Sequence, residues 1–170
     1  MMAYIGVPHN FHYLQIIANA LECFYQKDYV LVSEGRLTHE QTISFRLAMY
    51  LAQQLEPLNS SLYVDCEYHG DVNQEHLKKL INGKDIRPDI IYHDRNLRNE
   101  FCIEMKIGSI RPYDYVKVFG LISVYGYQEG YCISNIGKKY VTIDAMSEEN
   151  GTNTQRYRFK YDFVSNELRV

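Results

Sequence analysis

Apolar positions near the start of the chain recur at helical spacing. Leu14, Ile17, Ala18, Leu21 and Tyr25 form one stripe and predict a helix from Phe11 to Tyr25. A second helix is predicted from Thr38 to Leu55. Thr38 and Gln41, three apart, have the form of a capping box, and Pro57 follows the far end. Period-two alternation then takes over from Ser61 to Tyr68, where Leu62, Val64 and Cys66 oppose Tyr63, Asp65 and Glu67. Glu75 to Ile81 reads as a short helical turn. Ile90 to Tyr92 and Phe101 to Ile107 read as two strands of a hairpin joined by the polar stretch His93 to Glu100. Pro112 opens a helix reaching Val124. Strands follow at Tyr131 to Ser134, Tyr140 to Ile143 and Arg156 to Phe163, and Leu168 to Val170 can return beside the last.

This order predicts a mixed α/β fold, a central mixed sheet flanked by helices. At 170 residues, 46% hydrophobic and 23% charged, the chain suits a single domain, 1–170, with its own core. No apolar run is long enough for a membrane helix, and the N-terminus lacks the pattern of a secretory signal. Cys23, Cys66, Cys102 and Cys132 form no CxxC pair, so reduced thiols in a cytoplasmic protein are expected. The net charge of -3 argues against a general nucleic-acid coat. The charge is uneven, however. Residues 1–76 hold only Lys27, Arg36 and Arg46 as basic residues, so any polyanion site belongs to the second part.

The chemistry concentrates in Arg87-Pro88-Asp89-Ile90-Ile91-Tyr92 and Phe101-Cys102-Ile103-Glu104-Met105-Lys106. Strand alternation puts Phe101, Ile103, Met105 and Ile107 on a core face, and Cys102, Glu104 and Lys106 on the other. A hairpin turning between Asn96 and Leu97 pairs Tyr92 with Phe101, Ile90 with Ile103 and Asp89 with Glu104. Two facing carboxylates repel unless a cation lies between them. Oxygen ligands without His or Cys favour Mg²⁺ or Mn²⁺ over Zn²⁺. Two acids and an adjacent lysine around such a cation suit attack of water on a phosphodiester.

Pro88-Asp89, a gap, then Glu104-Met105-Lys106 resembles the PD-(D/E)XK motif of the restriction-endonuclease-like nuclease superfamily. The resemblance implies an αβββαβ core over residues 38–134, with the N-terminal helix and C-terminal strands appended. It implies that Asp89, Glu104 and the main-chain carbonyl of Met105 bind the metal and that Lys106 is catalytic. Many members add an acid from the first core helix. Glu40 matches it, beginning the stripe Glu40, Ile43, Leu47 and Leu51. An acid in a first turn also simply complements the helix dipole. The implied activity is hydrolysis of nucleic acid, DNA rather than RNA, by metal-activated water. A homodimer would suit cutting of both strands. The Gln-x-x-x-Tyr signature of some branches is absent here.

Other residues admit two readings. Glu67 is a further acid whose face depends on register. Lys117, Arg87 and Arg111 are candidate phosphate contacts, although Lys117 could instead form a solvated pair with Asp114. Arg95, Arg98, Lys138 and Lys139 also flank the motif. Tyr113, Tyr115, Tyr125, Tyr127 and Tyr131 follow it and could stack on bases, but packing at a core edge or a subunit interface is the favoured reading. His9 and His12 lack a third metal ligand, and His69 and His93 are expected at the surface. The competing class is an inactive protein of the same fold that binds nucleic acid or a protein partner.

Overall fold

The computed structural model describes residues 11–33, 38–68, 78–79, 82–149 and 153–170. Helix α1 (Leu14–Asp28) runs into a short 3-10 turn (Tyr29–Leu31) and is followed by α2 (Glu40–Leu55). Strands β1 (Tyr63–Cys66), β2 (Ile90–His93) and β3 (Asn99–Met105) come next, then α3 (Pro112–Tyr125). The chain ends with β4 (Glu129–Ser134), β5 (Tyr140–Glu149), β6 (Asn153–Asp162) and β7 (Glu167–Arg169). The seven strands among the described residues form one sheet in the order β1-β2-β3-β4-β5-β6-β7. Among them only β3 and β4 are parallel, and α3 is the crossover a parallel pair requires.

Both faces of the sheet are covered. Ile17, Leu21 and Phe24 of α1 and Ile43, Leu47 and Leu51 of α2 pack on one face against Ile90, Phe101, Ile103, Tyr131, Ile143 and Phe159. Val118, Leu121 and Ile122 of α3 pack on the other face against Ile91, Cys102, Cys132 and Met146. Burial on both sides matches the apolar triplets Ile90-Ile91-Tyr92, Phe101-Cys102-Ile103 and Tyr131-Cys132-Ile133 at the centres of β2, β3 and β4. Helix α3 approaches β4 closely because residue 130 is glycine: a Cβ there would strike Val118 and come within 2.9 Å of Ile122. The helix ends where Gly126 adopts the left-handed conformation, φ 68°.

The hairpin register is the expected one through Ile90–Ile103, Ile91–Cys102 and Tyr92–Phe101. It then slips by a residue, with His93 opposite Asn99 across a bulge. The Asp94 carboxylate organises the shifted turn by accepting the Asn96 and Arg98 N–H groups. The bulge also corrects the expectation for His93. It is 2% exposed and bonded through Nε2 to Asp65 Oδ2 at 2.9 Å. Burial lowers the proton affinity of its ring, against the pull of Asp65.

Three further expectations change. Helix α2 begins at Glu40 with His39 as an uncapped N-cap, so Thr38 and Gln41 form no capping box; Gln41 instead donates to Glu67. Within the segment expected to be a helical turn, Lys79 forms an antiparallel bridge with Asp85, and Glu75, His76, Leu77, Leu80 and Ile81 lie outside the described residues. Strands β5 and β6 run longer than predicted because each pairs with the other along its length, Tyr140–Asp162 through Glu149–Asn153. His9 and His69 lie outside the described residues. No helix among the described residues is long and apolar enough to cross a membrane. Cys23, Cys66, Cys102 and Cys132 are free thiols.

Candidate functional site

The acids meet at the carboxyl end of β3. Asp89 precedes β2 but remains in the sheet: its N–H donates to the Ile103 carbonyl at 3.1 Å, and its carbonyl accepts the Glu67 N–H at 3.0 Å. Its backbone is thus held between β1 and β3. The Asp89 carboxylate turns toward β3, where Oδ2 accepts the Met105 N–H at 2.6 Å. In an extended strand the N–H and C=O of one residue face the same edge. The Met105 carbonyl is therefore directed to the Asp89 side.

Glu104 lies on the α3 side of the sheet and is 2% exposed. Its Oε1 receives a close contact from the Lys117 ammonium, one of α3, and lies 3.5 Å from Lys106 Nζ. Its Oε2 is buried without a hydrogen-bond partner among the described residues. Such an orphaned carboxylate oxygen is costly, and it calls for a cation or donor that binds there. Lys106 Nζ also donates to Glu40 Oε2 at 3.1 Å, while Glu40 Oε1 accepts the Ile107 N–H at 3.3 Å. The N-terminus of α2 thus delivers Glu40 to the end of β3. Ile43, Leu47 and Leu51 of its stripe are buried, as the spacing required.

Burial disfavours charge in this cluster. Desolvation, then the neighbouring Asp89 charge, raises the Glu104 carboxyl to about 7, against the opposing effect of Lys117 and Lys106. Desolvation also raises Asp89, opposed by the Met105 N–H and the two lysines. For Lys106, desolvation acts to lower proton affinity, but Glu104, Glu40 and Asp89 together raise it. Its amine is consequently held as an ammonium, suited to orienting or neutralising an anion rather than to accepting a proton.

Asp89, Glu104, Lys106 and Glu40 therefore come together from four separate chain positions. The pairing of Lys117 with Glu104 was not expected. The alternative Asp114–Lys117 pair does not form, because Asp114 instead accepts the Arg111 N–H at 2.9 Å. The signal for Lys117 lies in parity: Glu104 projects onto the face that α3 covers, and a lysine on that helix is within reach. Arg87 pairs with Glu67 at 3.2 Å, and Glu67 itself has φ 50°, an unusual backbone for a non-glycine residue beside Asp89. Arg111 stands exposed at the N-cap of α3.

The remaining flanking cations lie elsewhere. Arg95 pairs with Asp65 of β1, and Arg98 pairs with Glu100 near the opposite end of β3. Lys138 and Lys139 line a separate cavity with Tyr25, Tyr29 and Phe163. His12 Nδ1 contacts Glu129 at 3.2 Å. Among the tyrosines, Tyr127 and Tyr131 are buried and Tyr115 donates to Asp144 at 2.5 Å, so packing accounts for most of the cluster.

The donor chemistry fits a hard dication. Asp89, Glu104 and the Met105 carbonyl are all oxygen donors, and the orphaned Glu104 Oε2 is one of them. Among the described residues no group of three or more His, Cys, Asp or Glu side chains is arranged to hold a metal ion. Two carboxylates with water and substrate completing the shell are the arrangement Mg²⁺ commonly takes, in contrast to an all-protein cage. Comparison of the chain with family models, with curated proteins and with solved structures finds no match.

Proposed function

We propose that the protein is a metal-dependent nuclease of the PD-(D/E)XK type, acting on DNA in preference to RNA. The observation that carries this reading is the convergence of Asp89, Glu104, Lys106 and Glu40 at one strand end, with a buried oxygen of Glu104 left unpartnered. The order α2-β1-β2-β3-α3-β4 supports it, being the αβββαβ sequence of elements that the motif implies.

In this reading Asp89, Glu104 and the Met105 carbonyl hold Mg²⁺ or Mn²⁺. Such an ion, when bound, supplies a more acidic water and neutralises charge developing on a phosphate. Asp89 is oriented for its part by the Met105 N–H. Lys106 presents an ammonium, positioned by Glu40, to the phosphate or the attacking water. Glu40 acts through Lys106 and the Ile107 N–H, and is a positioning residue.

The test is incubation of plasmid, single-stranded DNA and RNA with the protein in Mg²⁺ or Mn²⁺, beside Glu104→Ala and Asp89→Ala. Cleavage by the parent alone supports the reading. Equal cleavage by all three, or none by the parent, overturns it.

One observation favours a second reading, an inactive binding protein of the same architecture. The Lys117 ammonium sits against Glu104 Oε1 and neutralises the very acid a dication needs. Thermal melting against added Mg²⁺ separates the two. Stabilisation by mass action, lost in Asp89→Ala, supports the metal site, whereas indifference to Mg²⁺ favours the ion pair as structure.

A further inference from the structure

Three cations were candidates for phosphate contact, and the structure distinguishes among them. Lys117 is engaged by Glu104 and Arg87 by Glu67. Arg111 has no carboxylate partner among the described residues, and its side chain stands at the exposed N-cap of α3. Two residues on, Tyr113 is 41% exposed. Lys84 places its ammonium 5.3 Å from the centroid of that ring and likewise has no acidic partner among the described residues.

Tyr113 differs from the tyrosines around it. Tyr115 is tied to Asp144, Tyr125 to the Lys79 backbone, Tyr127 to Lys78 and Tyr131 to Glu129. The Tyr113 hydroxyl has no hydrogen-bond partner among the described residues, so no polar anchor accounts for the position of its ring. It also borders the candidate site. Residues four apart lie on one helix face with Cβ atoms about 5–6 Å apart, and Lys117, four after Tyr113, is the residue that reaches Glu104. The N-terminus of α3 is not itself the anion site, because Asp114 already takes the Arg111 N–H there. The side chains are what remain available.

We propose that Lys84, Arg111 and Tyr113 form a contact platform for a single-stranded stretch of polynucleotide beside the Asp89–Glu104 cluster. The two cations take backbone phosphates, and the Tyr113 ring takes one base. The proposal rests on the nuclease reading and specifies its substrate as locally unpaired. Charge alone would serve a duplex equally well, but an exposed ring with one cation over it, and a second cationic residue two positions before it in the chain, meets a base face only when that base is out of its stack. A cation resting on an exposed tyrosine is held weakly, by about 0.5–1 kcal/mol, and can turn to a phosphate without breaking an ion pair.

The experiment is fluorescence anisotropy with a labelled oligothymidylate in EDTA, where no cleavage intervenes, repeated across a salt series. The proteins are the parent, Tyr113→Ala, Tyr113→Phe and the double variant Lys84→Ala/Arg111→Ala. Thermal melts verify that each variant is folded. The platform predicts that Tyr113→Ala weakens binding about fivefold or more while Tyr113→Phe stays within about twofold of the parent, since stacking needs the ring and not the hydroxyl. The double variant should flatten the slope of log K against log salt by about 1.4, or about 0.7 for each lost phosphate contact on a single strand. Absence of binding by the parent, parental affinity in Tyr113→Ala, an unchanged salt slope, or equal affinity for a duplex of the same length each overturns it. Failure of the nuclease reading has a different signature: no cleavage in Mn²⁺ by a parent protein that still binds the oligonucleotide through these residues.

Discussion

Glu104→Gln is the most informative single substitution, because it keeps the shape of the side chain and removes its titration. Glu104 is 2% exposed and its carboxyl is raised from 4.5 to about 7, first by desolvation and then by Asp89. A group that binds its proton more tightly in the folded state stabilises the fold while protonated. That contribution is fully present below the unfolded value and is lost as the pH climbs through the folded one. Each tenfold difference in proton affinity corresponds to about 1.4 kcal/mol, so the parent should lose about 3 kcal/mol relative to the variant between about pH 4.5 and pH 8. Asp89 titrates in both proteins, and because its charge helps raise Glu104 the difference reports the interacting pair of carboxyls. The assay is urea denaturation of parent and variant at a series of pH values, in EDTA. The difference in unfolding free energy should fall as pH rises and then level off above about pH 8. A flat difference, or one that grows with pH, would show that Lys117 and Lys106 keep Glu104 ionised throughout, and the burial argument would be refuted.

Three further outcomes are expected. Lys117→Met removes the cation that opposes protonation of Glu104, so the pH at which the parent loses this stability should move upward in the same urea series. Gly130→Ala drives a methyl group into Val118 and Ile122 and should destabilise by about 1–3 kcal/mol, read as a lowered melting temperature. Asp144→Ala strips acceptors from the Tyr115 hydroxyl and the Arg158 guanidinium and should cost about 1–3 kcal/mol in urea denaturation. Its cost belongs at the lower end, because the Arg158 side chain is 57% exposed and regains water.

The sequence made the hairpin and its acids legible for a simple reason. Strand parity is a period of two: Phe101, Ile103 and Met105 share the face that α1 and α2 cover, and Cys102 the face of α3. The same logic placed Glu40 at the head of a buried α2 stripe. It did not reveal the slip after Tyr92, because the bulge is selected by the Asp94 turn and by the His93–Asp65 bond, which is a contact across strands. Lys117 was open between a phosphate contact and a pair with Asp114. Local spacing offered Asp114, but the carboxylate it meets, Glu104, lies on a strand beneath the helix. The lengths of β5 and β6 were hidden because their outer halves are polar on one face and owe their extension to pairing with each other.

The single parallel seam has a kinetic consequence. The β2–β3 hairpin and the β4-to-β7 ladder each join strands adjacent in the chain, so each can zip up from short-range encounters. Two pairings close at longer range and are slower: β1 with β2, and β3 with β4, the second of which also needs the intervening helix to dock. Glu40, Asp89, Glu104 and Lys106 all come from the amino-terminal side of that seam, and Lys117 comes from the helix that closes it. Docking of α3 is also what brings an ammonium onto a buried carboxylate, making the arrival of Lys117 a marker for closure of the β3–β4 seam.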